Sequence, residues 1–500
     1  MRVFFVFLFL FVIGYLQAQS PVGQEIDMPD TFSSQVSDRT FNVREKKLLL
    51  LEHKKQELEE KKQSDTSYIH VLAQIARLTY EKGNYEKAKQ DYLKLLYEIK
   101  KYVGEKDRLY LKYLYPAAVI FMKSGNYIVA ERILLRMEEL SRQVSGKASR
   151  EYALALNGLG MINQVKGELL AAETYLHLAG DLFEKNRKQE GMVGFADNLG
   201  HQGYFYFIKG SYTASEALYR QAISTFQYNE LTQTEEFAQV LIYTGLLYSK
   251  LNNPSKAFDY LYRALMVQKE LFSPKHPECA RTQSYIAEIL IQADYLLTAS
   301  SLLNKSIRIQ EEALSRKHHD YVYSVKLLAD ISKIRKEFPE AEQLYLSALD
   351  TFRLTMGERN MGYASMREDL AGLYFNMGRY EESAGLHFQN LELRKDLLDE
   401  MHPHYLKSLQ ELARVYWAMK NVNRAERFYK KNAVTSISQF KKHFAFLSEK
   451  EKGAYYEGVN KSFEEFNAFA IERSAKKPKI LRDVYDTQLA TKALLFNSTR

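Results

Sequence analysis

Laid on itself, the chain repeats. A column of small residues recurs at Ala76, Ala118, Gly160, Gly203, Gly245, Ala287, Ala329, Ala371 and Ala413, with seven intervals of 42 residues and one of 43. Twelve positions after each stands a second small residue: Ala88, Ala130, Ala172, Ser215, Ala257, Ala299, Ala341, Ser383 and Ala425. Four further on comes a bulkier column, Tyr92, Leu134, Leu176, Tyr219, Leu261, Leu303, Tyr345, His387 and Tyr429. Turn formers fall between the small columns at Gly83, Gly125, Gly167, Gly210, Asn252, Asp294 and Gly378, with Lys336 and Lys420 in that place in two units. A fixed period of this length means that each unit is one supersecondary element unable to bury its apolar face alone.

Each unit reads as two amphipathic helices joined by a short turn. Small side chains let the two helices cross closely, and the bulky residue four positions on fills the groove beside that contact. Proline agrees with this register. Pro254 and Pro339 fall at the start of second helices, where a missing N–H costs nothing, and Pro274, Pro277 and Pro403 fall in the loops before first helices. Pro116 alone lies inside a first helix, and the register places it in the opening turns. With nine Pro and 23 Gly in 500 residues, helix is favoured throughout. The expected fold is all-α: a right-handed superhelix, an α-solenoid of nine helix pairs with extra helices at both ends.

The segment GNYEKAKQDYLKLL, Gly83–Leu96, resembles the tetratricopeptide repeat in its order of turn, aromatic, small and aromatic residues. The period, with lead-ins such as KHPECARTQSYIAEIL and MHPHYLKSLQELARVY, is similar to the longer kinesin-light-chain-like variety. The resemblance covers residues 68–447 as nine units in phase. The eighth departs most, with Ser383 and His387 replacing Ala and an aromatic. It implies a scaffold that binds proteins or peptides.

Residues 1–18, MRVFFVFLFLFVIGYLQA, carry one Arg, an apolar run from Val3 to Leu16, and Ala18 at a polar exit. This is the layout of a secretory signal peptide, with an uncleaved anchor as the open alternative. No Cys stands near the cleavage point for a lipid anchor. No later run approaches spanning length, so an exported chain, periplasmic or secreted, is expected to have no membrane span after cleavage. Residues 19–40 are polar and aperiodic, the composition of a flexible linker. Residues 41–67 read as a charged helix with an apolar stripe capping the first repeat, or alternatively as a short coiled coil.

After the ninth unit the period breaks. FAFLSEKEKGAYYEGVNKSFEEFNAFAIER, Phe444–Arg473, reads as an aromatic helix, AKKPK as a turn, and LRDVYDTQLATKALLFNSTR as a further helix. The words FLSEKEKGAYYEGVN and VYDTQLATKALLFNSTR resemble the connector of bacterial proteins that join tetratricopeptide repeats to a C-terminal CHAT domain, a caspase-like fold. That resemblance implies that residues 448–500 are a helical connector, truncated before a CHAT domain that acts in cis or in trans. It carries over no catalytic residue.

The residues themselves supply no chemistry. Cys279, the only cysteine, leaves no internal disulfide and reads as a small residue in an interhelix loop. It follows His276 by three residues, but His276, His318 and His402 occupy one place in the register, filled by Asn360 in the eighth unit, so they mark the start of first helices rather than a Cys–His pair. The pairs His318/His319 and His402/His404 lack a helical i, i+4 partner for a metal. No phosphate-binding loop occurs, and NST at Asn497–Thr499 reads as a chance sequon in a bacterial-looking chain. The net charge of +8 is spread thinly, 12 Lys/Arg against 8 Asp/Glu in residues 434–500, without a nucleic-acid-type basic block. No catalytic residue, metal or cofactor is expected.

What remains is surface. In such arrays first helices line the concave groove, and residues three, four and seven apart share that face. The register makes Asn157, Tyr204, Phe207, Arg281, Tyr285, Tyr323, Lys326, Lys333, Phe375, Lys407, Arg414 and Trp417 the inward candidates. Aromatics with Arg and Lys on one face suit an extended peptide or a partner's helix. The expected function is an exported, non-catalytic scaffold for a protein or peptide. The alternatives are a regulatory fragment of a CHAT-domain protease and an envelope glycan-handling protein.

Overall fold

The computed structural model of the chain describes residues 34–61, 65–186, 192–398, 400–444 and 449–497. The signal-peptide reading of residues 1–18 and the linker reading of 19–33 lie outside the described residues. Among those described there are 21 helices and no strand. Helix α1 spans Ser34–Glu60. The first three pairs are α2 (Thr66–Glu81) with α3 (Tyr85–Val103), α4 (Arg108–Lys123) with α5 (Tyr127–Val144), and α6 (Arg150–Lys166) with α7 (Leu169–Lys185). The middle three are α8 (Met192–Ile208) with α9 (Tyr212–Tyr228), α10 (Glu235–Lys250) with α11 (Pro254–Leu271), and α12 (Pro277–Gln292) with α13 (Leu296–Ala313). Then come α14 (His319–Ile334) with α15 (Phe338–Met356), α16 (Met361–Asn376) with α17 (Tyr380–Leu397), and α18 (Pro403–Ala418) with α19 (Val422–Phe444). Two more helices, α20 (Glu449–Ser474) and α21 (Ile480–Asn497), follow.

The column residues do what their sizes dictate. Ala76, Ala118, Ala287 and Ala413 are wholly buried, as are Ala88, Ala130, Ala257 and Ala425 opposite them. Where the first column carries glycine, the bulky residue of the second helix occupies the missing side chain's space. A Cβ on Gly160 would lie 2.7 Å from Leu176 Cγ, and one on Gly203 would lie 2.5 Å from the Tyr219 ring. In the eighth unit Ser383 Oγ donates to the Ala371 carbonyl at 2.8 Å, so the hydroxyl is satisfied inside the contact. All nine turn residues, Gly83 through Lys420, have positive φ, the left-handed conformation that ends one helix and redirects the chain into the next. Lys336 and Lys420 adopt it at φ 63° and 60° without glycine's freedom.

The array is wound tightly enough for successive superhelical turns to touch. His276, His318 and His402 each cap a first helix, with Nδ1 accepting from the backbone N–H of Glu278, Asp320 and His404. Nε2 of the same rings then reaches the carbonyls of Tyr80 at 3.0 Å, Lys123 at 3.0 Å and Ile208 at 2.8 Å. The first, second and fourth repeats thereby meet the sixth, seventh and ninth. Glycine is required at two of these crossings, because a Cβ on Gly83 would lie 2.7 Å from Pro277 Cδ and one on Gly210 would lie 2.9 Å from Pro403 Cδ.

Both ends are covered. Leu58 of α1 joins the core of the first repeats, and Leu48 and Leu51 pack against it. Arg44 Nη1 donates to the Leu271 carbonyl at 2.6 Å, tying α1 across to the end of α11. At the other end Phe463, Phe466, Phe469 and Ala470 of α20 bury against Ala425, Tyr429 and Ala433 of α19.

Four expectations are corrected. Helix α1 starts at Ser34 rather than Phe41, because Ser34–Thr40 contains neither Gly nor Pro to stop it. Pro116 is the ninth residue of α4, in mid-helix rather than the opening turns. Cys279 lies in the first turn of α12 rather than in a loop and is wholly buried. Phe444, read as the first residue of the aromatic helix, lies in α19, and α20 is described from Glu449.

Candidate functional site

The first helices face the superhelix axis, and six in succession, α4, α6, α8, α10, α12 and α14, line an axial cavity of about 590 Å³. Tyr115, Tyr127, Tyr204, Tyr243 and Tyr285 supply much of its wall. Tyr204 stacks on Tyr243 at 4.5 Å between ring centroids, and Tyr285 meets Tyr323 edge-on at 5.4 Å. Burial raises the phenols of Tyr204 and Tyr285, so they act as apolar rings with a neutral hydroxyl. The cavity also reaches Gly167 and Asn360, the third and eighth repeats. There the eighth unit has Asn360 where others have His, and its amide donates to the local Met356 and Gly357 carbonyls instead of across the turn.

One side of the cavity carries an ion network between superhelical turns. Lys123 Nζ lies 2.5 Å from Glu235 and 3.1 Å from Glu278, and Arg281 pairs with Glu278. Tyr80 Oη donates to Glu235 at 2.7 Å and Tyr85 Oη to Glu278 at 3.1 Å. Burial opposes ionisation of Glu278, but Arg281 and Lys123 outweigh it and hold the carboxyl well below the usual range.

Of the twelve inward candidates, Tyr204, Arg281 and Tyr285 line the cavity together. Asn157 is wholly buried, donating to Asp197 at 3.1 Å and accepting from Asn198 at 2.9 Å, so its amide holds helices together. Phe207 stacks on Tyr204, and Phe375 packs on Tyr380. Tyr323 donates to Glu288 at 2.7 Å. Lys326 bridges Asp330 at 2.9 Å and Asp369 at 3.0 Å, while Lys333 reaches Asp330 at 3.4 Å. Lys407 pairs with Glu368. Arg414 reaches Glu465 at 2.5 Å and Trp417 donates to Glu472 at 2.9 Å, both under α20.

Register reasoning passed over Asp197 and Glu236, two of the four acids of the wall. A signal existed: nine positions before the first small column stand Glu151, Glu236, Glu278 and Asp320. A first-turn acid is ordinarily explained by the helix dipole, which hid the column's second use.

Two features bear on chemistry. Burial pushes the Cys279 thiol up to about 12, leaving it a poor nucleophile, and both nitrogens of the nearby His276 are engaged. His318, His319 and Asp320 bring donor atoms within 4.8 Å of one another. His318 already uses both ring nitrogens, so a metal there would have to displace a cap or an inter-turn bond. No described helix is long and apolar enough to cross a membrane.

Paired helices stacked in one direction around an axial wall of side chains define a helical-repeat scaffold for interaction. Residues 362–431 match the tetratricopeptide repeat family. The nine helix pairs share the small and bulky columns of that matched segment, the architecture of a tetratricopeptide-repeat array. Among solved structures it is similar to a kinesin light chain with nearly identical TPR-like repeats from Podosopora anserina (20% identity, 41% of this chain, 97% of that chain, TM-score 0.33). It is also similar to BtubC (BKLC) from P. vanneervenii (19% identity, 46% and 89%, TM-score 0.35). A Rap protein complexed with competence and sporulation factor matches at 12% identity over 70% of this chain and 99% of that one, with a TM-score of 0.46. Among curated proteins none matches.

Proposed function

We propose that this chain is an exported, non-catalytic scaffold that receives a protein or peptide segment in its axial cavity. The observation that carries this is the cavity itself, about 590 Å³ walled by six consecutive first helices and several tyrosines. Rigid aromatic walls with few rotatable bonds hold a ligand at low entropic cost. The test is capture of partners from the envelope fraction by the immobilised protein. Tyr204→Ala with Tyr285→Ala abolishes that capture if the cavity is the site, and Leu170→Ala on exposed α7 leaves it unchanged. Undiminished capture by the double variant refutes the reading.

A second reading has the chain regulating a CHAT domain in cis or in trans. It is favoured by the connector words and by α21, whose Leu481, Tyr485 and Leu489 stay exposed. A photo-crosslinker at Tyr485 tests it by whether a caspase-like domain is recovered.

A further inference from the structure

Equivalent acids in successive repeats have unequal partners. In the sixth repeat Glu278 is followed three residues later by Arg281, which neutralises it with the help of Lys123. In the fifth repeat the acid is Glu236 and the residue three on is Gln239, which has no charge. Glu236 and Gln239 line the cavity, with Asp197 beside them on α8. Among the described residues no cation stands within ion-pair distance of Glu236. Lys123, whose charge acts on Glu236 at longer range, is already held by Glu235 and Glu278. Among the described residues Asp197 has only the Asn157 amide and, at 3.3 Å, the His201 ring. The wall around these acids is aromatic, with Tyr115 and Tyr243 among its residues. A half-buried carboxylate without a counter-charge in an aromatic cavity is complementary to one chemistry, an organic cation that brings both charge and apolar stem.

We propose that the cavity takes the Lys or Arg side chain of a basic peptide, whose charged head sits on Glu236 and Asp197 where Arg281 sits on Glu278 one repeat later. The proposal rests on the axial cavity being the binding site, and it adds the charge of the ligand. The protonation of Glu236 accords with it. Burial, then the Asp197 and Glu235 carboxylates, push this acid up to about 7, and an incoming cation restores the charged form.

The test uses the full chain and three fluorescein-labelled Gly/Ser decapeptides that differ only at two central positions: lysine, norleucine or glutamate. Binding is read by anisotropy. The lysine peptide is expected to bind at least about tenfold tighter than the norleucine peptide, and Glu236→Gln to remove that difference. Gln239 Oε1 accepts from Arg281 Nη2 at 2.8 Å, so that position is kept as it is in the test. Glu236→Gln should abolish the lysine preference without lowering the melting temperature, which excludes misfolding as the cause. Equal binding of the lysine and norleucine peptides overturns the cationic assignment and leaves the cavity as a binding site. A lysine preference unchanged by Glu236→Gln overturns the role of Glu236. Failure of all three peptides to bind overturns both the assignment and the reading beneath it.

Discussion

His276 Nε2 and the carbonyl oxygen of Tyr80 lie 3.0 Å apart although 196 positions separate them in the chain. Because Nδ1 accepts from the Glu278 N–H, the proton sits on Nε2, and one neutral ring both starts α12 and fastens the sixth repeat to the first. His318 repeats the arrangement on Lys123. A solenoid held only by neighbour contacts flexes along its length. One stapled between turns encloses a cavity of fixed shape.

Gly83 is where this fastening is most sensitive. Gly83→Ala combines a left-handed φ of 88° with a Cβ 2.7 Å from Pro277 Cδ. It should cost about 1–3 kcal/mol and loosen the turn-to-turn contact. Small-angle scattering should record a larger radius of gyration. Gly146→Ala shares the positive φ but meets nothing within 4 Å, so it should lose stability without expanding.

Acid should weaken the staples. Burial holds His276 and His318 down to about 4, with Glu278, Glu235 and Lys123 facing the first and His319, Asp320, Lys123 and Arg281 the second. The unfolded rings take protons near pH 6.5, which the folded ones refuse. The unfolded state therefore binds more protons between 6.5 and 4, and stability falls as pH drops through that window. Urea midpoints measured across it should show the decline. His276→Asn with His318→Asn should flatten it while keeping both caps, as Asn360 caps α16 in the eighth repeat.

Glu236 works in the opposite sense. Its folded value of about 7 lies above the ordinary carboxyl range, so the folded chain binds the extra proton between 4.5 and 7. The stability it contributes is present at low pH and lost as pH rises through 7. Glu236→Gln should therefore gain in urea midpoint over the parent at pH 8 and match it at pH 4.5.

The C-terminal cap should carry real stability. Phe466 and Phe469 are almost completely buried against α19. Either residue changed to Ala should cost about 3–5 kcal/mol locally. Hydrogen exchange should then quicken in α18, α19 and α20 while α4 through α12 keep their protection.

Gly203→Ala tests the small column itself. Its Cβ would press within 2.5 Å of the Tyr219 ring, so thermal unfolding should shift down by an overpacking cost of about 1–3 kcal/mol. The added Tyr219→Leu should recover part of it. The pair would then match Ala118 with Leu134, which coexist fully buried in the second repeat.

The sequence by itself determined the helix pairs, their register, their turns and their buried columns. These rest on contacts a few residues apart or between adjacent units, and a fixed period writes such contacts into spacing. Ala88, Leu134 and Gly125 are legible for that reason. It also marked His276, His318 and His402 as one recurring position, and their capping role follows from local geometry. Only the tertiary structure decided what the other nitrogen of each ring does, because the small rotation per repeat that brings unit one against unit six is not encoded at any single position. The same accumulated twist sorted the inward candidates. It set Tyr204, Arg281 and Tyr285 around one cavity, sank Asn157 into the packing and placed Arg414 and Trp417 beneath α20. It also left Glu236 uncompensated, a fact about which charges meet across space rather than along the chain.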